Sequence, residues 1–332
     1  MIRTDFTQLV GVKHPILLAP MGGAVSHDLA VAVANAGAFA MFGASWHTPE
    51  RLKQQIAGFR AATKAPFAIN LALEWNQSER LAIALDNGAP VISLFWGDPT
   101  RYMKTIRAAG AKALVTVGSA DEAKRAVDVG ADAIVAQGVE AGGHVWSKVG
   151  TMVLVPAVID AADGLPVIAA GGIADGRGIA AALALGASAA WIGTRFLATT
   201  ESDTSDDYRQ RLVKARETDT VYTELFDLDW PRAPHRVIRN STYDGWIKAG
   251  SPPSGKRPGE GEPVVTQADG TVLKRYSDDT PKPGAKGDLE AACHYAGQST
   301  GLVHDVIPAG DLVRRLMAET EAQLSHLRNL VD

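Results

Sequence analysis

Short, wholly apolar runs alternate with amphipathic stretches along the first 200 residues. Eight runs rich in valine, isoleucine and phenylalanine fall at 15–21, 38–45, 66–73, 90–97, 112–119, 132–138, 165–172 and 189–196. Most are apolar at every position rather than at every second one, the pattern of strands covered on both faces. Between them lie alanine-rich segments with a 3.6-residue rhythm, at 28–37, 49–63, 78–88, 99–110, 119–130, 153–162 and 175–186. Six of these seven segments run into glycine at or just past their end, and several open on Ser or Asp, the usual helix stop and cap. Eight strands alternating with helices predict an α/β chain with a parallel sheet, and eight is the number that closes a (β/α)8 TIM barrel. The alternative left by this pattern alone is an open, doubly wound sheet.

The rhythm stops after Arg195. Residues 201–290 are polar and, at 251–270 and 277–287, rich in proline and glycine. A disordered tail would look like this in part. However, 208–215 is helical in pattern, and Trp230 and Trp246 need burial. A small lid or substrate segment after the eighth strand is therefore expected. The organisation read from the chain is a barrel over 1–200, a lid segment over 201–300, and a C-terminal portion over 301–332 whose long amphipathic helix docks on the barrel.

Composition narrows the partners. The chain has 332 residues, 46% of them hydrophobic, and a net charge of −4, so it can bury a sizeable core and offers no basic stripe for nucleic acid. No run approaches the ~18 apolar residues of a membrane span, and the N-terminus lacks a signal-peptide pattern. A cytoplasmic protein with no membrane partner is expected. The single cysteine, Cys293, excludes an internal disulfide and is expected to be a buried small hydrophobe. His14, His27, His47, His235, His294, His304 and His326 show no metal-ligand spacing, so no metal site is read.

Residues 167–196 spend glycine at Gly171, Gly172, Gly176, Gly178, Gly186 and Gly193 inside an otherwise apolar stretch. These loops follow the expected seventh and eighth strands, where a barrel often holds a phosphate at the amino end of a short helix. Backbone N–H groups freed of Cβ bulk can surround such an anion. The alternative is that the glycines only make tight turns. His144 sits in another glycine-rich loop, "EAGGHV", after the sixth strand. A histidine there can take a proton from carbon near neutral pH. Glu140, just upstream, either orients that loop or is a solvated carboxylate. Asn70 ends an apolar strand, as a terminator or as a ligand contact. Trp46, Trp75, Trp96 and Trp146 all fall at or near the expected site face. They predict either an aromatic pocket suited to bulky or planar substrates, or a cover for the barrel mouth.

The segments "QGVEAGGHV" (137–145), "IAAGGIADGRG" (168–178) and "ALGASAAWIGTRFLATTES" (184–202), with "PILLAPMGG" (15–23) and "INLAL" (69–73), resemble the signatures of nitronate monooxygenases, formerly called 2-nitropropane dioxygenases. The closing "HYAGQSTGLVHDV" (294–306) is also similar. FMN-dependent enoyl-acyl-carrier-protein reductases and NADH:quinone reductases share the superfamily. The resemblance implies FMN as cofactor. Its phosphate would lie at Gly171, Gly172 and the run Trp191, Ile192, Gly193 and Thr194. Asn70 and Gln137 would hydrogen-bond the flavin ring, Gly142 would permit its close approach, and Met21 and Gly22 would lie beside it. His144 would be the catalytic base, and Tyr295, just before "AGQS", would either reach the substrate pocket or pack in the core.

The implied reaction is oxidation of alkyl nitronates by O2 to a carbonyl compound and nitrite. The alternatives are an NADH-dependent flavin reductase acting on a quinone or enoyl thioester and, in another class, a non-catalytic barrel that binds a phosphate ligand. A homodimer through the lid or terminal helix is common in such folds. One departure stands out: "VWSKVGTM" follows His144, where some nitronate enzymes have "RG".

Overall fold

The computed structural model describes residues 2–331. Its strands, in chain order, begin with β1 (Ile16–Leu18), β2 (Ala40–Gly43), β3 (Phe67–Ala72), β4 (Val91–Phe95), β5 (Lys112–Val117) and β6 (Ala133–Gln137). A two-residue strand, β7 (Gly143–His144), precedes β8 (Val167–Ala170) and β9 (Ala189–Ile192). All of these except β7 form one parallel sheet in the order β1-β9-β8-β6-β5-β4-β3-β2. Two hydrogen bonds join its outer strands. The Leu18 N–H donates to the Phe39 carbonyl at 2.9 Å, and the Phe39 N–H donates to the Ile16 carbonyl at 2.8 Å. The sheet is therefore a (β/α)8 barrel and not an open doubly wound one.

The unbroken apolar character of the runs follows from this closure. Leu17, Met41, Ala68, Leu114, Val135 and Ile168 meet in a single buried cluster at the barrel's centre. Their chain neighbours Leu18, Phe42, Ile69, Val115, Ile134 and Ala169 face the other way, into the layer beneath the helices. Neither face meets water, so alternation has no role. The helix Asp5–Val10 adds Phe6 to the central cluster, where its ring meets Phe39 edge-on at 5.7 Å.

The eighth run ends sooner than its apolar residues suggest. Strand β9 stops at Ile192, and "GTRF" turns at Gly193 into the short helix Thr194–Leu197, with the Phe196 N–H donating to the Gly193 carbonyl at 2.8 Å.

Beyond residue 200 the chain is ordered rather than a tail. Strands β10 (Thr220–Thr223) and β11 (His235–Ile238) extend β7 into a three-stranded antiparallel sheet. Strands β12 (Pro263–Thr266), β13 (Val272–Lys274) and β14 (Lys286–Gly287) form another. Phe226, Val237, Tyr276 and the buried Cys293 make a core of their own. Trp230 is 2% exposed, and the Trp246 Nε1 donates to the Pro252 carbonyl.

The 20-residue helix Ala309–Arg328 packs along the helix Gly176–Ala184. A Cβ at Gly176 would overlap Glu319 Cβ and the Thr320 backbone nitrogen, so this glycine permits the approach of the terminal helix. Among the described residues no helix is long and apolar enough to cross a membrane.

Candidate active site

The strands' carboxyl ends open into a cavity of about 580 Å3. Most residues singled out from the sequence line it. Met21 and Gly22 arrive from the end of β1, and Asn70 from β3. Gln137, Gly142 and His144 follow from β6 and the loop after it. Gly171 and Gly172 end β8, while Trp191, Gly193 and Thr194 come from β9 and the turn after it. Trp46 and Tyr295 complete the set.

Four of the residues singled out stand elsewhere. The Ile192 side chain points into the outer core with Ile16 and Leu18, because it follows the inward-facing Trp191 by one position. Trp75, Trp96 and Trp146 do not line the cavity. They stand behind Trp230, whose ring lies 4.8 Å from Trp75 and 4.9 Å from Trp96, and Trp96 lies 4.9 Å from Trp146. The tryptophans are thus largely a supporting shell, and the aromatic faces on the cavity itself are those of Trp46, Phe95, Trp191, Trp230, Tyr208 and Tyr295.

The glycine loops divide into two kinds. The N-terminus of the helix Gly176–Ala184 already holds two carboxylates. Asp175 accepts from the Gly178 N–H and Glu319 from the Gly176 N–H, each at 2.9 Å. A phosphate has no place there. The corner formed by Gly171, Gly172, Gly193 and Thr194 is different. Gly171 and Gly172 have φ of 99° and 74°, which turns successive backbone groups along the cavity wall in a conformation side chains disfavour. The short helix beginning at Thr194 has no side-chain cap. Gly142 also meets another part of the chain. A Cβ there would overlap the backbone of Ala296 and Gly297, so the close approach is made by the protein's own 294–298 segment. Glu140 is an orienting group: it accepts from the Thr151 N–H and hydroxyl at 2.9 Å and so fixes the start of the helix Thr151–Ala161.

His144 is held by backbone and rings. Strand β7 pairs with β11 so that His144 lies opposite His235. Trp230 covers the imidazole at 4.2 Å and 32°, Tyr295 lies 5.5 Å away, and Trp96 meets it edge-on at 6.0 Å. Burial, with the neighbouring His235, pushes the His144 pKa down to about 3. His235 is itself lowered to about 4 by burial. Its Nε2 accepts from the Phe226 N–H at 3.3 Å, so its Nδ1 carries the proton donated to the Ala233 carbonyl at 2.8 Å. His235 is thereby a fixed neutral neighbour. His144 Nε2 is buried and has no hydrogen-bond partner, and the same holds for Thr116 Oγ1 and the Tyr295 hydroxyl. All three residues line the cavity.

Such orphaned polar groups are costly unless a ligand meets them. Together with the glycine corner they fit a polar, phosphate-bearing ring compound. Asn70 and Gln137 strengthen the fit. Each spends an amide donor inside the chain, on Ser93 Oγ at 3.0 Å and on the His144 carbonyl at 3.2 Å, and each amide group has further hydrogen-bonding capacity.

Sequence reasoning missed the wall supplied by the later segment. Asp229, Trp230, Asp278, Asp279 and Lys282 all line the cavity. Burial and the Asp229 carboxyl push the Asp278 pKa up to about 8. Trp230 was marked for burial, but no local pattern connects it with His144, 86 positions earlier. Among the described residues no group of His, Cys, Asp and Glu could hold a metal.

Comparison with known proteins agrees with this geometry. Residues 3–319 match the family described as nitronate monooxygenase. A nitronate monooxygenase of Paraburkholderia phytofirmans is 30% identical over 98% of this chain and 97% of its own length. The (3aS,4S,5R,7aS)-5-hydroxy-7a-methyl-1-oxo-octahydro-1H-indene-4-carboxyl-CoA dehydrogenase of Mycobacterium tuberculosis is 30% identical over 100% of this chain and 99% of its own. The structure of FabK from Thermotoga maritima superposes with a TM-score of 0.82 at 33% identity, covering 99% of this chain and 100% of that one. Fold and site together define a barrel oxidoreductase that works with a flavin. The chain belongs to the nitronate monooxygenase family. A purely ligand-binding role falls away with that membership.

Proposed function

We propose that the protein catalyses the FMN-dependent oxidation, by O2, of alkyl nitronates or of the nitroalkanes that yield them on losing an α-proton, with a carbonyl compound and nitrite as products. The observation that carries this reading is the unpartnered, buried Nε2 of His144 in the cavity wall. A neutral imidazole with a free ring nitrogen can accept the proton of an acidic C–H. Burial disfavours the imidazolium, so a proton on His144 is best held beside a developing negative charge, which a nitroalkane losing its α-proton provides. The residues that would hold FMN are Gly171, Gly172, Gly193 and Thr194 at the phosphate, with Met21, Gly22, Asn70 and Gln137 at the ring. When bound, FMN supplies the electron-accepting chemistry and the reaction with O2. The Trp230 wall and the segment behind it keep water from the imidazole.

A second reading, with a thioester as the carbon acid, is favoured by the room available. A further cavity of about 560 Å3 shares Met21, Gly23, His47 and Arg51 with the first, which is more space than a small nitroalkane fills. The M. tuberculosis relative named for a carboxyl-CoA substrate points the same way.

Purified protein should be yellow and release FMN on denaturation. Anaerobic mixing with ethyl nitronate should bleach the flavin, and NADH should not. Bleaching by NADH alone, with nitronate inert, would replace the oxidase reading with a reductase acting on a quinone or enoyl thioester.

A further inference from the structure

Tyr295 is the other orphan near the imidazole. Its ring lies 5.5 Å from His144 and 5.8 Å from His235, and its buried hydroxyl has no hydrogen-bond partner beyond the weakly accepting Cys293 thiol. The Cys293 thiol is the polar side chain nearest in sequence and a weak partner in chemistry. The backbone at Tyr295 is held from both sides. Its carbonyl accepts from the Tyr208 hydroxyl, Val237 bridges it on β11, and the Ile238 N–H donates to the His294 carbonyl at 2.8 Å. Gly142 and Gly297 pack so closely beside it that neither tolerates a Cβ. The backbone that carries the ring is therefore fixed. A buried hydroxyl on a residue that lines the cavity is what an incoming acceptor atom would satisfy.

Removing an α-proton from a carbon acid needs two groups. A base takes the proton, and a donor meets the oxygen on which the electron pair settles. We propose that the Tyr295 hydroxyl is this second catalytic group, donating a hydrogen bond to the substrate's nitro or thioester-carbonyl oxygen while His144 Nε2 takes the α-proton. The C–H bond breaks, an N–H bond forms on His144, and the electron pair moves from carbon to the oxygen facing Tyr295. The phenol keeps its proton. Burial, with Cys293, Asp278 and Tyr208 nearby, raises the Tyr295 pKa and holds it in the donor form. No electron acceptor is needed for this half of the reaction. The assignment rests on the proposed role of His144 as base.

The test is exchange of the α-hydrogens of nitroethane and of acetyl-CoA in deuterated water. It is followed by proton NMR under anaerobic conditions with the holoenzyme. Wild type should accelerate exchange of at least one probe, and His144→Ala should abolish the effect. Tyr295→Phe should lose about ten- to hundredfold, the worth of one hydrogen bond to a charged acceptor. Its thermal midpoint should be unchanged or higher, since the lost hydroxyl gives up only the weak contact with the Cys293 thiol, and its flavin content should equal wild type. Oxidation of preformed ethyl nitronate, which needs no proton removal, should fall less than exchange. Exchange that depends on His144 and is unaltered in Tyr295→Phe overturns the Tyr295 assignment and leaves the base intact. Exchange of neither probe by wild type, or exchange unaffected by His144→Ala, overturns both.

Discussion

The indole of Trp230 lies over the imidazole of His144 with ring centroids 4.2 Å apart and 32° between planes. The two residues come from different parts of the chain, His144 from the loop after the sixth barrel strand and Trp230 from the irregular segment beyond residue 200. The contact helps bury the imidazole, and burial is the main cause of its depressed pKa.

Trp230→Ala should therefore act on chemistry and on stability together. Large-to-small changes at a buried tryptophan cost about 3–5 kcal/mol, visible as a lower thermal midpoint. Water admitted beside His144 should move its pKa from about 3 toward 6.5. An NMR pH titration of the His144 ring protons reads this directly. An unchanged pKa would mean that burial by Trp230 is not what lowers it.

Acid should destabilise the fold earlier than its carboxylates would. His47, His235 and His294 are lowered to about 4 and His144 to about 3, chiefly by burial. Between pH 6.5 and about 4 the unfolded chain binds protons at these positions and the native chain does not. Stability from this source is complete above pH 6.5 and is lost as pH falls through that window. Urea unfolding at stepped pH should show the loss, and His294→Gln, placed away from the cavity, should flatten it in part.

Asp278 works in the opposite direction. Its pKa is raised to about 8, so the native state holds a proton that the unfolded chain releases near pH 4. Its contribution is complete below pH 4 and declines as pH rises toward 8. Asp278→Asn should raise the thermal midpoint at pH 8 relative to wild type and make no such difference at pH 4. Equal effects at both would show that the carboxyl is ionised in the native state.

Gly176→Ala tests the seat of the terminal helix. The added methyl overlaps Glu319 and Thr320, and relief requires the helix Ala309–Arg328 to shift. Overpacking of this kind costs about 1–3 kcal/mol. Flavin content should persist, because Gly176 lies outside the cavity lining. Gly172→Val should do the reverse. A branched residue at φ 74° is strained and would crowd the corner proposed for the phosphate, so cofactor retention should fail first.

The barrel was legible in the chain because each strand is apolar throughout, a signal that needs no knowledge of distant partners. Most of the cavity floor was legible too, since Asn70, Gln137, His144, Gly172 and Thr194 sit at strand ends that the pattern locates. What the sequence could not resolve was of two kinds. Ile192 shows that side-chain direction within a run is invisible when both faces are buried. Gly142 and Gly176 show that a glycine records a close approach without saying by what, and at both another part of this protein comes close. The wall of Asp229, Trp230 and Asp278 had no local signal, because it is assembled from turns whose positions depend on the tertiary fold.

Strand β7 is only two residues long, and its partner is β11 of the later segment. During synthesis, a ribosome-bound chain that had finished the eighth barrel strand could already close its cylinder, yet the histidine arm would lack the edge it hydrogen-bonds to. The His144 ring is therefore set in place only after residues 235–238 emerge, so an unfinished molecule carries a formed barrel whose loop at 143–144 has no edge to pair with.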